Sequence, residues 1–210
     1  MRLTENKMIA LCFLLMITAI SFMVFELIEK RSNPVPIPRS QIISDLLYQK
    51  CYENNQIWTN QQHDIAVDAL CKNETLTGID SQIVMCIMQI ESEYKIDAVG
   101  YNDGKCISID VGLCQINSIN LSLLYGKAEK VCIENNMKYE SDDIFDISLN
   151  ITACFIYLSD SKKALLKNNE YSFQRWIQSY NVGLQGSSDS PRYKHLQKKK
   201  SEYYVKFLEL

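Results

Sequence analysis

Glu91 is the side chain of this sequence best placed to hold and give up a proton. It falls in a run, residues 83–94, where Ile83, Val84, Ile87, Met88, Ile90 and Tyr94 recur at the i+3 and i+4 intervals of a helix. Asp80 or Ser81 stands where an N-cap belongs. The spacing predicts that Glu91 lies inside the apolar stripe, a turn or two from Val84, Ile87 and Met88. Desolvation there favours the neutral acid and brings proton donation within reach of neutral pH. Taken by itself, a Glu on an apolar helical face is more often a satisfied structural residue, in an ion pair or at a helix end reaching solvent.

Its neighbours in sequence shift that balance. Ser92 follows directly, and further on come Gly112-Leu113-Cys114-Gln115-Ile116-Asn117 and Ser179-Tyr180-Asn181-Val182-Gly183. Gly112 suits a positive φ or a close backbone approach. The amides of Gln115 and Asn117 can bond sugar hydroxyl or acetamido groups, and Asn117 reads equally well as a turn-capping residue. In order and separation, these stretches resemble the lysozyme-like domain of bacterial lytic transglycosylases. They resemble more closely the small muramidases that accompany conjugation and type III or type IV secretion machines. That family writes the motifs Glu-Ser, Gly-Leu-Met-Gln-Ile-Asn and Ala-Tyr-Asn-x-Gly; here Cys114 replaces the Met and Ser179 the Ala. Residues 146–151 resemble the family's Asp-Pro-x-x-Asn-Ile element, which opens a long helix, with Asp146 and Asn150 matching and Ile147 in place of Pro. Asp146 is expected to be an N-cap and not a catalyst.

The resemblance covers residues 61–185 and implies a mainly α, lysozyme-like (α+β) domain with little or no β structure. It implies Glu91 as catalytic acid, and Ser92, Gln115, Asn117, Tyr180 and Asn181 as substrate-binding residues. Ser92 is also read as a support for the backbone or the carboxylate. Peptidoglycan strands are the implied partner, with no cofactor, and secretion or conjugation machinery as a further one. Tyr180 would stand beside the acid, its hydroxyl orienting the carboxyl group or the substrate acetamido group. Some relatives carry a disulfide between the first helix of the domain and the helix after the Asp–Asn element; Cys71 and Cys154 are the nearest equivalents here. Residues 94–110, rich in Gly, Asp and Asn, read as a loop or small hairpin, which in the family walls the sugar cleft. Residues 119–136 read as a loop plus a short helix, and Phe173, Trp176, Ile177 and Tyr180 as the last helical face.

A single acid limits the chemistry. Glycosidases with two carboxylates hold them roughly 5 to 10 Å apart across the sugar, and the resembling family dispenses with the second. Glu91 would protonate the oxygen between N-acetylmuramic acid and N-acetylglucosamine, while the substrate acetamido group stabilises the anomeric carbon. The Glu91 carboxylate would then take the muramic acid 6-hydroxyl proton as a 1,6-anhydro ring closes. A hydrolytic lysozyme using Asp97, Asp103 or Asp110 is the near rival. A glycan-binding domain that does not cut, and a membrane-anchored scaffold, are readings from other classes. No Cys-x-x-Cys pair occurs, and His63 and His195 lie far from any cysteine cluster, which argues against a metal site and gives a Cys–His nucleophile little support.

Composition bounds the rest. The 210 residues, 47% apolar and 22% charged, allow one globular core beside a membrane segment. A net charge of -3 argues against nucleic acid as a partner. Residues 8–25 form an unbroken uncharged run, long enough to cross a bilayer with little to spare. An uncleaved signal anchor is favoured over a signal peptide cut near Ala19-Ile20-Ser21, because the apolar run continues through Phe25. The organisation expected is a cytoplasmic tail at 1–7, the anchor at 8–25 and a proline-containing stalk at 26–60. The enzymatic domain at 61–185 then lies outside the cytoplasm, on the periplasmic or cell-wall side, with a tail at 186–210. Within the stalk, residues 41–59 could equally be a helix packed on the domain. Of eight cysteines, Cys12 lies in the uncharged run, so an odd number remains and at least one is unpaired in an oxidising compartment.

Overall fold

The structure is a computed structural model that describes residues 36–102 and 107–182. The expected anchor at 8–25, Asp103 and the tail at 186–210 lie outside the described residues. Among those described, no helix is long and apolar enough to cross a membrane. The elements below all belong to the unit that begins at Arg39.

The first helix, α1 (Arg39–Glu53), turns Ile43, Leu47 and Cys51 inward, a stripe of i+4 steps. The packed domain therefore starts at Arg39, inside the span expected to be stalk. Of the two readings open for residues 41–59, the packed helix is the one that fits, because Leu47 is 0% exposed. Its last turn is tied to the rest of the core by a reciprocal amide pair between Asn54 and Gln89, at 2.7 and 2.6 Å. Helix α2 (Asn60–Thr77) opens with a capping box, in which Gln62 N–H donates to Thr59 Oγ1 and Thr59 N–H to Gln62 Oε1. It stops at Gly78, whose φ of 67° only glycine adopts at little cost.

Helix α3 (Ser81–Ser92) is capped by Asp80, whose carboxylate accepts Gln82 N–H at 2.8 Å. Every residue from Ile83 to Met88 is buried, so α3 is a core helix and not a half-wet one. It ends abruptly because Glu93 and Tyr94 both take left-handed backbone, at φ 51° and 62°. The cost of about 1 kcal/mol or more for each is offset by Tyr94. Its ring is fully buried, its hydroxyl donates to the Met85 carbonyl at 2.9 Å, and its own carbonyl accepts the Trp58 indole N–H at 3.0 Å.

The stretch after α3 folds into a three-stranded antiparallel sheet, β1 (Val99–Asn102), β2 (Ser108–Val111) and β3 (Ile116–Asn117). Asn102 pairs with Ser108 and Asp110 with Asn117. The hairpin is the small one expected, and β3 extends it. Asn117 then caps α4 (Ser118–Glu134), a full helix where a loop and short helix were expected. Its buried stripe, Leu124, Ala128 and Cys132, is evenly spaced but carries two small side chains, so its apolar signal in sequence is weak.

Helix α5 (Ile147–Lys167) is the axis of the domain. Asp146 caps it as expected, accepting Leu149 N–H at 2.7 Å and Glu140 N–H at 2.8 Å. Everything from Ile147 to Phe155 is buried, against α2, α3, α4 and the last helix, α6 (Phe173–Val182). Between α2 and α5, Asn73 donates to Thr152 at 2.9 Å in the interior. Helix α6 is fixed by the Trp176 indole N–H on the Leu158 carbonyl at 2.8 Å, and by the Tyr157 hydroxyl on the Ser179 carbonyl at 2.8 Å. The architecture is mainly helical with a small sheet, the α+β form expected.

Candidate active site

Glu91 sits in the last turn of α3, half-buried, where the helix meets the sheet. It lines a cleft of about 330 Å³ together with Gln115, Asn117 and Tyr180. Four of the six site residues expected from sequence are thus brought to one hollow, from α3, the 112–117 turn, β3 and α6.

The turn is the most constrained part of the site. Gly112 has φ 76°, and a Cβ there would lie 2.8 Å from the Asn150 side-chain carbon. Asn150, fully buried on α5, holds the turn from below. Its Oδ1 accepts Cys114 N–H at 2.7 Å, and its Nδ2 donates to the Val111 carbonyl and the Tyr125 hydroxyl, each at 3.0 Å. The Tyr125 hydroxyl in turn donates to the Ile144 carbonyl at 2.7 Å. Asn150 was legible in the Asp146–Asn150 element, but its part in holding the site was not.

Gln115 also has left-handed backbone, φ 51°. Both its amide protons are spent on the protein, on the carbonyls of Ala98 at 3.1 Å and Gly112 at 2.9 Å. Its side chain therefore braces the turn, and only its oxygen is left to meet a sugar. Gly100 makes room for that oxygen, since a Cβ there would come within 2.7 Å of it. Of the two roles expected of Asn117, the structure shows the capping one, and its amide is engaged within the protein. Its oxygen caps α4 at Ile119 N–H, 3.0 Å away, while its amide lines the cleft and donates to Asp110 at 2.6 Å and Ser108 at 3.0 Å.

Ser92 is not among the cleft-lining residues. Its hydroxyl donates to the Leu113 carbonyl at 2.7 Å, with the Met88 carbonyl at 3.0 Å, so it joins the end of α3 to the turn. Of its two expected roles, the supporting one fits this geometry. Tyr180 shows a related departure. Its ring lies edge-to-face on Tyr157, centroids 5.4 Å apart, and its hydroxyl donates to the Cys114 carbonyl at 2.6 Å. Burial first, then the neighbouring Cys154, Cys114 and Glu91, hold the Tyr180 phenol well above its ordinary value, so it stays a neutral donor. Asn181 follows in α6, and the role expected of its side chain lies outside what the structure describes.

The lining residues missed in sequence include Asn102, Ser108, Asn120 and Tyr157. Asn102 donates to Asp110 at 2.8 Å, so the Asp110 carboxylate is gripped from both sides, by β1 and by β3. The available signal was the alternation along β2, which puts Ser108 and Asp110 on one face. Asp97 stands apart from the cleft, in an exposed turn 3.9 Å from Lys95. The Cys71–Cys154 disulfide is absent. Both are free thiols, Cys71 partly exposed on α2 and Cys154 fully buried on α5. The face of α5 that carries Asn150 and Cys154 looks towards the 112–117 turn, whereas Thr152 is the residue that meets α2.

The family model of the transglycosylase SLT domain matches residues 68–203. The chain belongs to the transglycosylase SLT domain family. No curated protein and no solved structure matches the chain. Membership makes this a domain of the lytic-transglycosylase type, with peptidoglycan as its substrate class. The matched SLT span begins within α2, so α1 precedes it and yet supplies Ile43, Leu47 and Cys51 to its core.

Proposed function

We propose that this protein is a membrane-anchored lytic transglycosylase acting outside the cytoplasm, with Glu91 as its only general acid and base. The convergence of Glu91, Gln115, Asn117 and Tyr180 on one cleft carries this reading. Glu91 donates its proton to the oxygen between N-acetylmuramic acid and N-acetylglucosamine, and the N-acetylglucosamine side departs as an alcohol. The acetamido oxygen of the muramic acid stabilises the positive charge on its anomeric carbon. Glu91, now a carboxylate, removes the proton from the 6-hydroxyl, whose oxygen closes the 1,6-anhydro ring and restores the acid. The cytoplasm holds no such strands, so the uncharged run at 8–25 is read as the anchor that keeps the domain at the outer face.

Asp110 favours a second reading. It lines the same cleft, and a carboxylate across the sugar could activate water, giving hydrolysis. Its two oxygens are already engaged by Asn102 and Asn117, which weighs towards a structural part. Digestion of purified peptidoglycan by the protein and by Glu91→Gln, with products read by mass spectrometry, separates the possibilities. Anhydro-muropeptides from the native protein, falling by about 10³-fold or more in the variant, support the proposal. Reducing ends would instead indicate a hydrolase and point to Asp110. No cleavage by either, beside an active control muramidase, would leave a glycan-binding domain.

A further inference from the structure

Directly behind the cleft, two cysteines meet. Cys114 lies in the 112–117 turn and Cys154 on α5; both are 0% exposed, and both are free thiols. Backbone geometry brings them together. Asn150 accepts Cys114 N–H at 2.7 Å, and Cys154 stands one helical turn beyond Asn150 on the same face of α5. The Tyr180 hydroxyl donates to the Cys114 carbonyl at 2.6 Å, and Cys154 and Cys114 both act on its phenol. The Cys154 thiol is accordingly one of the groups that act on the Cys114 thiol. Among the described residues, the groups acting on Cys51, Cys71, Cys86 and Cys132 include no second thiol.

We propose that Cys114 and Cys154 are an oxidative modification site, joining in a disulfide that staples the cleft turn to α5. The oxidant is a disulfide, either of low molecular weight or on a protein catalyst. One cysteine thiolate attacks it, forming a mixed disulfide and releasing one oxidant thiol. The second thiolate displaces the other, so that the sulfur–sulfur bond of the oxidant is exchanged for the bond between Cys114 and Cys154. The two protons lost by the protein end on the two thiols released. Burial holds the Cys114 thiol well above its ordinary value, which makes exchange slow once the domain is packed. The bond therefore forms during folding, before α6 lays Tyr180 over the pair. A compartment outside the cytoplasm provides such oxidants. The inference rests on the thiol geometry and not on the reaction proposed for the cleft.

The consequence for the site is local. The staple fixes Cys114, whose carbonyl holds Tyr180 and whose N–H is held by Asn150. It also removes the Cys154 S–H from the neighbourhood of the Tyr180 hydroxyl.

The test uses the full chain in detergent, denatured in reductant and refolded in parallel with oxidised glutathione and with excess dithiothreitol. Free thiols are then blocked with iodoacetamide in denaturant, and the peptides mapped by mass spectrometry. The expected result is a linked peptide joining Cys114 to Cys154, lighter by two hydrogen atoms than its reduced parts, in the oxidised sample only. The apparent melting temperature of that sample should be higher by about 5–10 °C, and dithiothreitol should abolish the difference. Cys114→Ser and Cys154→Ser should each lose that difference. Full alkylation of both cysteines after oxidative refolding, or a link from Cys154 to Cys71, would overturn the proposal. So would a thermal shift that survives in either variant. The peptide map of the native sequence decides the matter even if a variant fails to fold, and no glycan cleavage is measured.

Discussion

Among the residues of the cleft, Glu91 and Tyr180 are held in different ways. Glu91 ends a helix and faces the hollow, whereas the Tyr180 hydroxyl is committed to the Cys114 carbonyl. Removing that hydroxyl strips a carbonyl of its partner and leaves the Glu91 carboxyl group itself in the chain. Tyr180→Phe should therefore cost about 1–2 kcal/mol of stability by urea denaturation, and should lower cleavage less than Glu91→Gln does. An equal loss of cleavage with unchanged stability would mean that the phenol serves the chemistry directly. Glu91 stood out in sequence because its motif partners follow in order, although its helix is buried on all sides over residues 83–88. Asn102 and Ser108 could not, since their meaning comes from strand pairing across the loop that joins β1 to β2. Gln115 was readable as a site residue but not as a brace, because its partners, Ala98 and Gly112, are backbone carbonyls with no side-chain signature.

At the level of elements, the site is a turn clamped between a helix below and a sheet beside it. Asn150 and Gly112 are two halves of that clamp, the amide filling the space that the missing Cβ leaves. Gly112→Ala should destabilise by roughly 2–4 kcal/mol, since it combines a left-handed backbone with an overlap on Asn150. Asn150→Ala should cost a similar amount, because it leaves Cys114 N–H and the Val111 carbonyl without a partner in the interior. Together the changes should cost less than their sum, by about 1 kcal/mol or more, since the overlap exists only while both side chains are present. Strict additivity in a denaturation cycle would show that φ strain alone accounts for the glycine. The sequence pattern marked both residues, yet their complementarity needs α5 and the turn in contact. Helix α4 was half hidden for a different reason: Ala128 and Cys132 bury little surface each, and periodicity is weighed by size.

Over the whole molecule, buried thiols make the domain sensitive to alkali. Burial raises Cys51 from 9.0 to about 12 and Cys132 from 9.0 to about 11. In the unfolded chain these thiols ionise near their ordinary value, while the folded protein keeps them neutral, so unfolding releases protons above that point. The stability they support is complete below pH 9 and falls as pH rises towards 11 and 12, by up to about 1.4 kcal/mol per pH unit for each thiol. Denaturation midpoints measured from pH 7 to 10.5 in reductant should be flat below pH 9 and then decline. Cys51→Ala should make the decline shallower. A midpoint independent of pH to 10.5 would show that these thiols ionise inside the fold. Fold class was evident from the motifs, but the reach of the core was not: α1 lies before the matched SLT span, and only its contacts show that it belongs.

The chain has two tryptophans, and their positions give it built-in optical reporters. Trp58 bonds to the carbonyl of Tyr94, just past the turn that carries Glu91, and Trp176 anchors the helix that carries Tyr180. Emission from one indole follows the acid's side of the cleft, and emission from the other follows the opposite wall. With either replaced by phenylalanine, the remaining fluorophore would time the seating of its own wall, so the order in which the two sides assemble becomes observable without an attached dye.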